Sequence, residues 1–165
     1  MLAAFGLSLP AVADTSTSFQ VTASIVDGCE INGALPPNGH AVGEFGVLDF
    51  GSHSALATGP VTAGLTPGAG LVLRCTPGVT LMMSTDGGLH DDGTRNLQDL
   101  AGPSRLPYRL YQDAAFSQEM LAGQVSAVSF TAENPVALLI FGRLALTGTL
   151  PPGTYDDTVV VTLNW

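Results

Sequence analysis

Pro151-Pro152-Gly153-Thr154-Tyr155-Asp156-Asp157-Thr158-Val159-Val160-Val161-Thr162-Leu163-Asn164-Trp165 closes the chain, and its reading decides the fold. After the Pro-Pro-Gly turn, Val159, Val161, Leu163 and Trp165 fall on one face of an extended segment. Thr158, Val160, Thr162 and Asn164 fall on the other. Such alternation marks a half-buried strand, because successive side chains leave opposite faces of a sheet. Chain ends are ordinarily frayed and polar. A final strand with a tryptophan on its apolar face is therefore expected to be packed or held.

Working back from this strand, others recur between Gly/Pro turns. Phe19-Gln20-Val21-Thr22-Ala23-Ser24-Ile25 alternates strictly and is broken by Asp27-Gly28. Short strands are expected over 47–50, 69–75 and 79–84, the last two joined around Thr76-Pro77-Gly78. Leu106, Tyr108 and Leu110 share one face of another, in which Pro107 favours an edge or bulge position. Residues 114–121 are expected to hold one short helical turn. Longer strands are expected over 125–131 and 136–146, separated by Glu133-Asn134-Pro135. Many short strands, with 20 Gly and 11 Pro, indicate a single all-β sandwich.

Composition narrows the function. Charged residues make up 12% against 45% hydrophobic, so apolar material exceeds what one core needs and part of the surface is expected to be covered by a partner. The net charge is −9, all five basic residues are arginines, and none precedes Arg74. Neither nucleic acid nor anionic lipid suits such a field.

Residues 1–13 read as a signal peptide, apolar up to Pro10 and ending in Ala11-Val12-Ala13. No Lys or Arg precedes the apolar stretch, which leaves a truncated signal with an upstream start as one reading. A transmembrane span is excluded there by length. Cys29 and Cys75 remain, and in an exported chain an even count usually means a bridge. A metal pair or a reactive thiol are the alternatives, without the CxxC spacing that would favour them.

In order, Gly28-Cys29-Glu30-Ile31, Leu48-Asp49-Phe50-Gly51, Leu71-Val72-Leu73-Arg74-Cys75, Thr94-Arg95-Asn96-Leu97, Tyr108-Arg109-Leu110-Tyr111-Gln112-Asp113, Ile140-Phe141-Gly142-Arg143 and the C-terminal block run along nearly the whole chain. Together they resemble the spore coat U domain group, which includes subunits of archaic, Csu-type chaperone–usher pili. The loops 34–43 and, outside the 94–97 block, 86–103 follow no family pattern. The resemblance implies an incomplete immunoglobulin-like β-sandwich that lacks its last strand and is completed by donor-strand exchange. It implies a donor segment over 14–28 and a sandwich domain over 29–165. The partners implied are a periplasmic pilus chaperone, an outer-membrane usher and neighbouring subunits. The location implied is the cell surface, in adhesion and biofilm formation. A spore-coat-type structural protein and a secreted monomeric binding module are the alternatives.

Phe19, Val21, Ala23 and Ile25 are the donor strand on this reading; alternation alone is equally that of a first strand packed in its own sandwich. Val159, Val161, Leu163 and Trp165 are the strand a chaperone contacts, and equally core. His40, His53 and His90 lack zinc spacing and read as surface loop residues. Asp86, Asp91 and Asp92 lack the order of a calcium loop and read as solvated. No GxSxG elbow is present, so no catalytic residue is assigned, nor any metal or cofactor. Arg74, Arg109 and Arg143 are expected to pair with acidic neighbours.

Overall fold

The computed structural model describes residues 16–36, 43–67, 72–128 and 135–165. The signal-peptide reading of 1–13, His40, and most of the unplaced 34–43 loop lie outside them.

Eleven strands are formed among the described residues: β1 (Cys29–Ile31), β2 (Gly46–Leu48), β3 (Thr58–Pro67), β4 (Leu73–Cys75), β5 (Leu81–Thr85), β6 (Asn96–Asp99), β7 (Arg105–Tyr111), β8 (Ser126–Val128), β9 (Phe141–Thr147), β10 (Tyr155–Asp156) and β11 (Val161–Asn164). All pairings are antiparallel. A six-stranded sheet runs β10-β6-β7-β9-β3-β2, a three-stranded sheet runs β11-β5-β8, and β1 pairs with β4. The expected all-β sandwich is what forms.

The core lies between the sheets. On β7 the inward residues are Leu106, Tyr108 and Leu110, facing Leu81 and Met83 of β5, while Arg105, Pro107 and Arg109 point out. Cys29 pairs directly with Cys75 in the β1–β4 register, and the two form a disulfide. The bridge closes a span of 46 residues, which stabilises the fold by about 4 kcal/mol on the loop-entropy account.

Several expectations are corrected. Phe19–Ile25 forms no ladder and stands clear of the sandwich. Strand β3, the longest, carries Val61, Ala63 and Leu65 in alternation, but Gly59, Pro60 and Gly64 hide it in the sequence. Residues 136–140 precede β9 rather than belonging to it. They run extended, with Val136 N donating to Leu73 O and Ile140 O accepting from Leu65 N, both at 2.8 Å.

Pro107 sits in an interior strand rather than at an edge. Tyr108 N donates to Arg95 O on the β6 side, so the Pro107 nitrogen faces the β9 side, where the β7–β9 ladder has already ended at Tyr108. The lost donor therefore costs no ladder bond. The expected helical turn is a tight turn instead. Asp113 accepts from the Ser117 and Gln118 amides, and Phe116 adopts φ 56°.

Candidate functional site: an open groove between two sheet edges

Strand β11 pairs with β5 through Val161↔Thr85, Thr162↔Ser84, Leu163↔Met83 and Asn164↔Met82. Asp86 N donates to Val160 O at 3.1 Å, which fixes the phase of the ladder: residues 160, 162 and 164 direct their backbone groups at β5 and its loop. The N–H and C=O groups of Val159, Val161 and Leu163 therefore face the other way. On that side lies the outer edge of β2, the last strand of the six-stranded sheet.

Between these two edges runs a groove of about 1320 Å³. Its wall is the whole segment Asp157–Trp165, and its apolar floor includes Leu48, Phe50, Leu73, Leu110 and Ile140. Small-ligand sites hold about 300–1,000 Å³ and bury their guest. This one is larger, elongated, and bordered by two strand edges that are unpaired among the described residues, and such edges are templates for strand addition. The nine wall residues span about 26 Å in extended form, and Phe19–Ile25 about 20 Å.

Phe19, Val21 and Ile25 are 87%, 81% and 97% exposed. The four residues expected to donate a strand lie outside this chain's own groove, while Val159, Val161 and Leu163 line it half-buried. Trp165 lies at the end of the wall, 44% exposed, its Nε1 3.4 Å from where a Cβ on Gly28 would stand.

The position of β2 against the floor depends on Gly142 of β9. A Cβ there would come within 2.7 Å of both Leu48 Cδ2 and Phe50 Cζ. Phe50 in turn meets the Tyr108 ring edge-on at 6.3 Å.

Sequence reasoning did not find the polar cluster at the other end of the wall. Asp157 shares the parity of Val159, Val161 and Leu163, and a carboxylate on an apolar face must find partners. Its Oδ2 accepts from Tyr108 Oη at 2.7 Å, and its Oδ1 from Leu89 N at 2.9 Å. Burial, and then the bond to Asp157, push the Tyr108 hydroxyl far above its usual value, so it remains a donor. His90, expected on the surface, is a partly buried neighbour, its Nδ1 3.2 Å from Asp157 Oδ1.

Arg95 is buried too. It donates to Asp86 O through Nε at 2.9 Å and Nη2 at 2.7 Å, to Thr85 Oγ1 at 2.9 Å, and to Met120 O at 2.6 Å. Asp86 is exposed, as expected, and also accepts from Val160 N at 2.9 Å.

The exposed arginines sit on the outer face of the six-stranded sheet or opposite an acid. Arg74 faces Glu30 in register, Arg109 bonds Glu119 at 3.0 Å, and Arg105 bonds Asp92 at 3.1 Å. Arg143 lies over the Phe116 ring at 5.9 Å and has no acidic partner among the described residues. Among the described residues no three His, Cys, Asp or Glu side chains gather as metal ligands.

The sequence pattern of the Spore Coat Protein U domain matches residues 15–162. No curated protein matches the chain. Among solved structures it is similar to the CsuC–CsuE chaperone–tip adhesion subunit pre-assembly complex from archaic chaperone–usher Csu pili of Acinetobacter baumannii. That match has 17% identity and a TM-score of 0.48 over 86% of this chain and 40% of that one. It is also similar to a chaperone–tip adhesin complex of CFA/I fimbriae biogenesis, at 15% identity and a TM-score of 0.40 over 83% of this chain and 40% of that one. The chain thus spans about two fifths of each of these two structures. The match over 15–162 covers most of the sequence, and the chain belongs to the Spore Coat Protein U domain family.

Proposed function

We propose that this family member is a structural, non-catalytic subunit of a surface pilus, assembled by a periplasmic chaperone and an outer-membrane usher through donor-strand exchange. The observation that carries the reading is the open groove between β2 and β11 on a chain whose own alternating N-terminal segment stands exposed. A neighbour's Phe19, Val21, Ala23 and Ile25 enter the groove and complete the sandwich. Burying the three large side chains contributes about 5–9 kcal/mol, at about 1.5–3 kcal/mol each, and ladder bonds along Val159, Val161 and Leu163 add to it.

Before assembly a chaperone strand occupies the same edge, contacting Val159, Val161, Leu163 and Trp165. The subunit is exported through the periplasm to the cell surface, where the fibre supports adhesion and biofilm formation. A monomeric module would instead keep its first strand in its own groove, which the exposure of Phe19 and Ile25 disfavours.

Deleting residues 14–25 tests the reading. The shortened subunit is expected to co-purify with its chaperone and to yield no fibres by electron microscopy. Normal fibres from the deletion would refute N-terminal donation.

A further inference from the structure

The outer face of the six-stranded sheet, away from the groove, carries a concavity of its own. On β7, Pro107 and Arg109 point outward between the buried Leu106, Tyr108 and Leu110. On β9, Arg143 and Ala145 point outward on either side of the buried Leu144. The ladders set Arg109 directly opposite Arg143, and Ala145 opposite Pro60 of β3. Small and ring-closed side chains leave the middle of this face low. With Thr94, from the loop before β6, these residues bound a basin of about 530 Å³.

Two arginines facing each other across a ladder are locally unfavourable, since their Cβ atoms stand about 4.5–5.5 Å apart and like charges there repel. One carboxylate offsets them: Glu119 Oε2 accepts from Arg109 Nη1 at 3.0 Å. Arg143 is steadied by an aromatic ring instead. Its guanidinium lies over Phe116, which is braced edge-on by Tyr111 with ring centroids 5.3 Å apart. That contact uses a face of the guanidinium and leaves the N–H groups in its plane, which make no hydrogen bond to another described residue. Two positive groups and one negative one therefore leave a single positive charge at the basin, on a chain whose net charge is −9.

We propose that this basin binds an acidic sugar unit, a carboxylated pyranose, whose carboxylate is held by Arg143 and Arg109. Guanidinium groups match a carboxylate with paired N–H donors, and one carboxylate balances the surplus charge. The volume is that of a small-ligand site, with an apolar floor and few placed polar groups. An acidic protein side chain would fill little of it. The basin is also open, since Pro60, Pro107, Arg109, Arg143 and Ala145 are all exposed. An open basin covers one face of its guest, and a pyranose has a C–H face for the floor and a rim of hydroxyls that stay in water. The net charge opposes a dense polyanion but not a single carboxylate, because fields from charges beyond about 8 Å are screened at physiological salt. The groove opens on the inner face of the same sheet, so filling one leaves the other free. On the proposed fibre each subunit presents one such basin, and weak single sites then add through multivalency.

The test is an NMR titration of the full-length subunit with methyl glucuronide and, separately, with methyl glucoside, which differs only in carrying a hydroxymethyl group in place of the carboxylate. N-acetylglutamate supplies the same carboxylate without the ring. The glucuronide is expected to bind about tenfold more tightly than either, the difference one charge-assisted contact makes. Arg143→Gln keeps the side chain's length and removes its charge, and is expected to weaken glucuronide binding about tenfold. Ala145→Ile fills the floor without touching a charge and is expected to do the same. Arg105→Gln, on the same face but outside the basin and bonded to Asp92, is expected to leave binding unchanged.

No binding of the glucuronide, or equal binding of glucuronide and glucoside, would overturn the proposal. N-acetylglutamate bound as tightly as the glucuronide would overturn the sugar and mark a docking point for acidic protein side chains. Unchanged binding in Arg143→Gln or Ala145→Ile would remove the ligand from this basin, and a loss in Arg105→Gln equal to that in Arg143→Gln would reduce the effect to overall charge. None of these outcomes bears on strand exchange, which the deletion of residues 14–25 tests separately.

Discussion

Asp92 lies in the loop that leads into β6, where Asn96 Nδ2 donates to its Oδ1 at 3.0 Å and Arg105 Nη1 to its Oδ2 at 3.1 Å. The Asn96 amide is the main cause that holds this carboxyl below the usual aspartate value of 3.8; desolvation opposes it, and the Arg105 bond and charge add to the lowering. A carboxyl depressed in the folded state contributes stability above its unfolded pKa and loses it as pH falls through the folded value. The Asp92 contribution is accordingly lost only on the acid side of 3.8. An NMR titration should place its midpoint below 3.8, and Asn96→Ala should raise it. A midpoint unmoved by that substitution would contradict the assignment. Asp157 carries a second lesson at this scale. Its inward parity was readable in the sequence, but its partners come from loop 89–90 and β7, which no local pattern links to it.

The C-terminal strand was legible because nothing interrupts its period of two, and in β7 Leu106, Tyr108 and Leu110 keep the same spacing on the buried face. Strand β3 was not, because Gly59, Pro60 and Gly64 break the apolar sequence of Val61, Ala63 and Leu65. Pro107 misled for a related reason. A proline's rank in a sheet depends on which neighbour its nitrogen faces, and that is decided by where the β7–β9 ladder ends. The strand edges that make the groove are a property of sheet order, so only the family resemblance pointed to them in advance. Gly142 tests the placement of β2. Gly142→Ala forces a methyl against Leu48 and Phe50 and should destabilise the domain by about 1–3 kcal/mol in urea unfolding, as overpacking does. No loss of stability would mean that β2 is free to move. The proposed donor segment has its own test. Ala23 is the one small residue among Phe19, Val21 and Ile25, so the acceptor groove should be shallow where it enters. Ala23→Phe should block assembly while the chaperone-bound subunit stays soluble, and Thr22→Phe, on the outer face, should be tolerated. Equal polymer yields would show that the facing is wrong.

At the scale of the molecule, the surplus of apolar residues has a physical location. Part lines the groove and part is carried on the exposed segment before Cys29, so on the proposed donor-strand reading each chain holds both halves of a contact it does not make with itself. A head-to-tail contact of this kind builds an open fibre wherever its rotation does not close into a ring. The disulfide between β1 and β4 stands directly after the exposed segment, anchoring it to the sandwich through which load would pass. Amide hydrogen exchange reads the central claim directly. In the isolated subunit the amides of Val161 and Leu163 should exchange fast, while those of Thr162 and Asn164, directed at β5, are protected. In the assembled fibre all four should be protected, together with alternate amides between Phe19 and Ile25. Val161 and Leu163 amides that exchange equally fast in subunit and fibre would contradict the account.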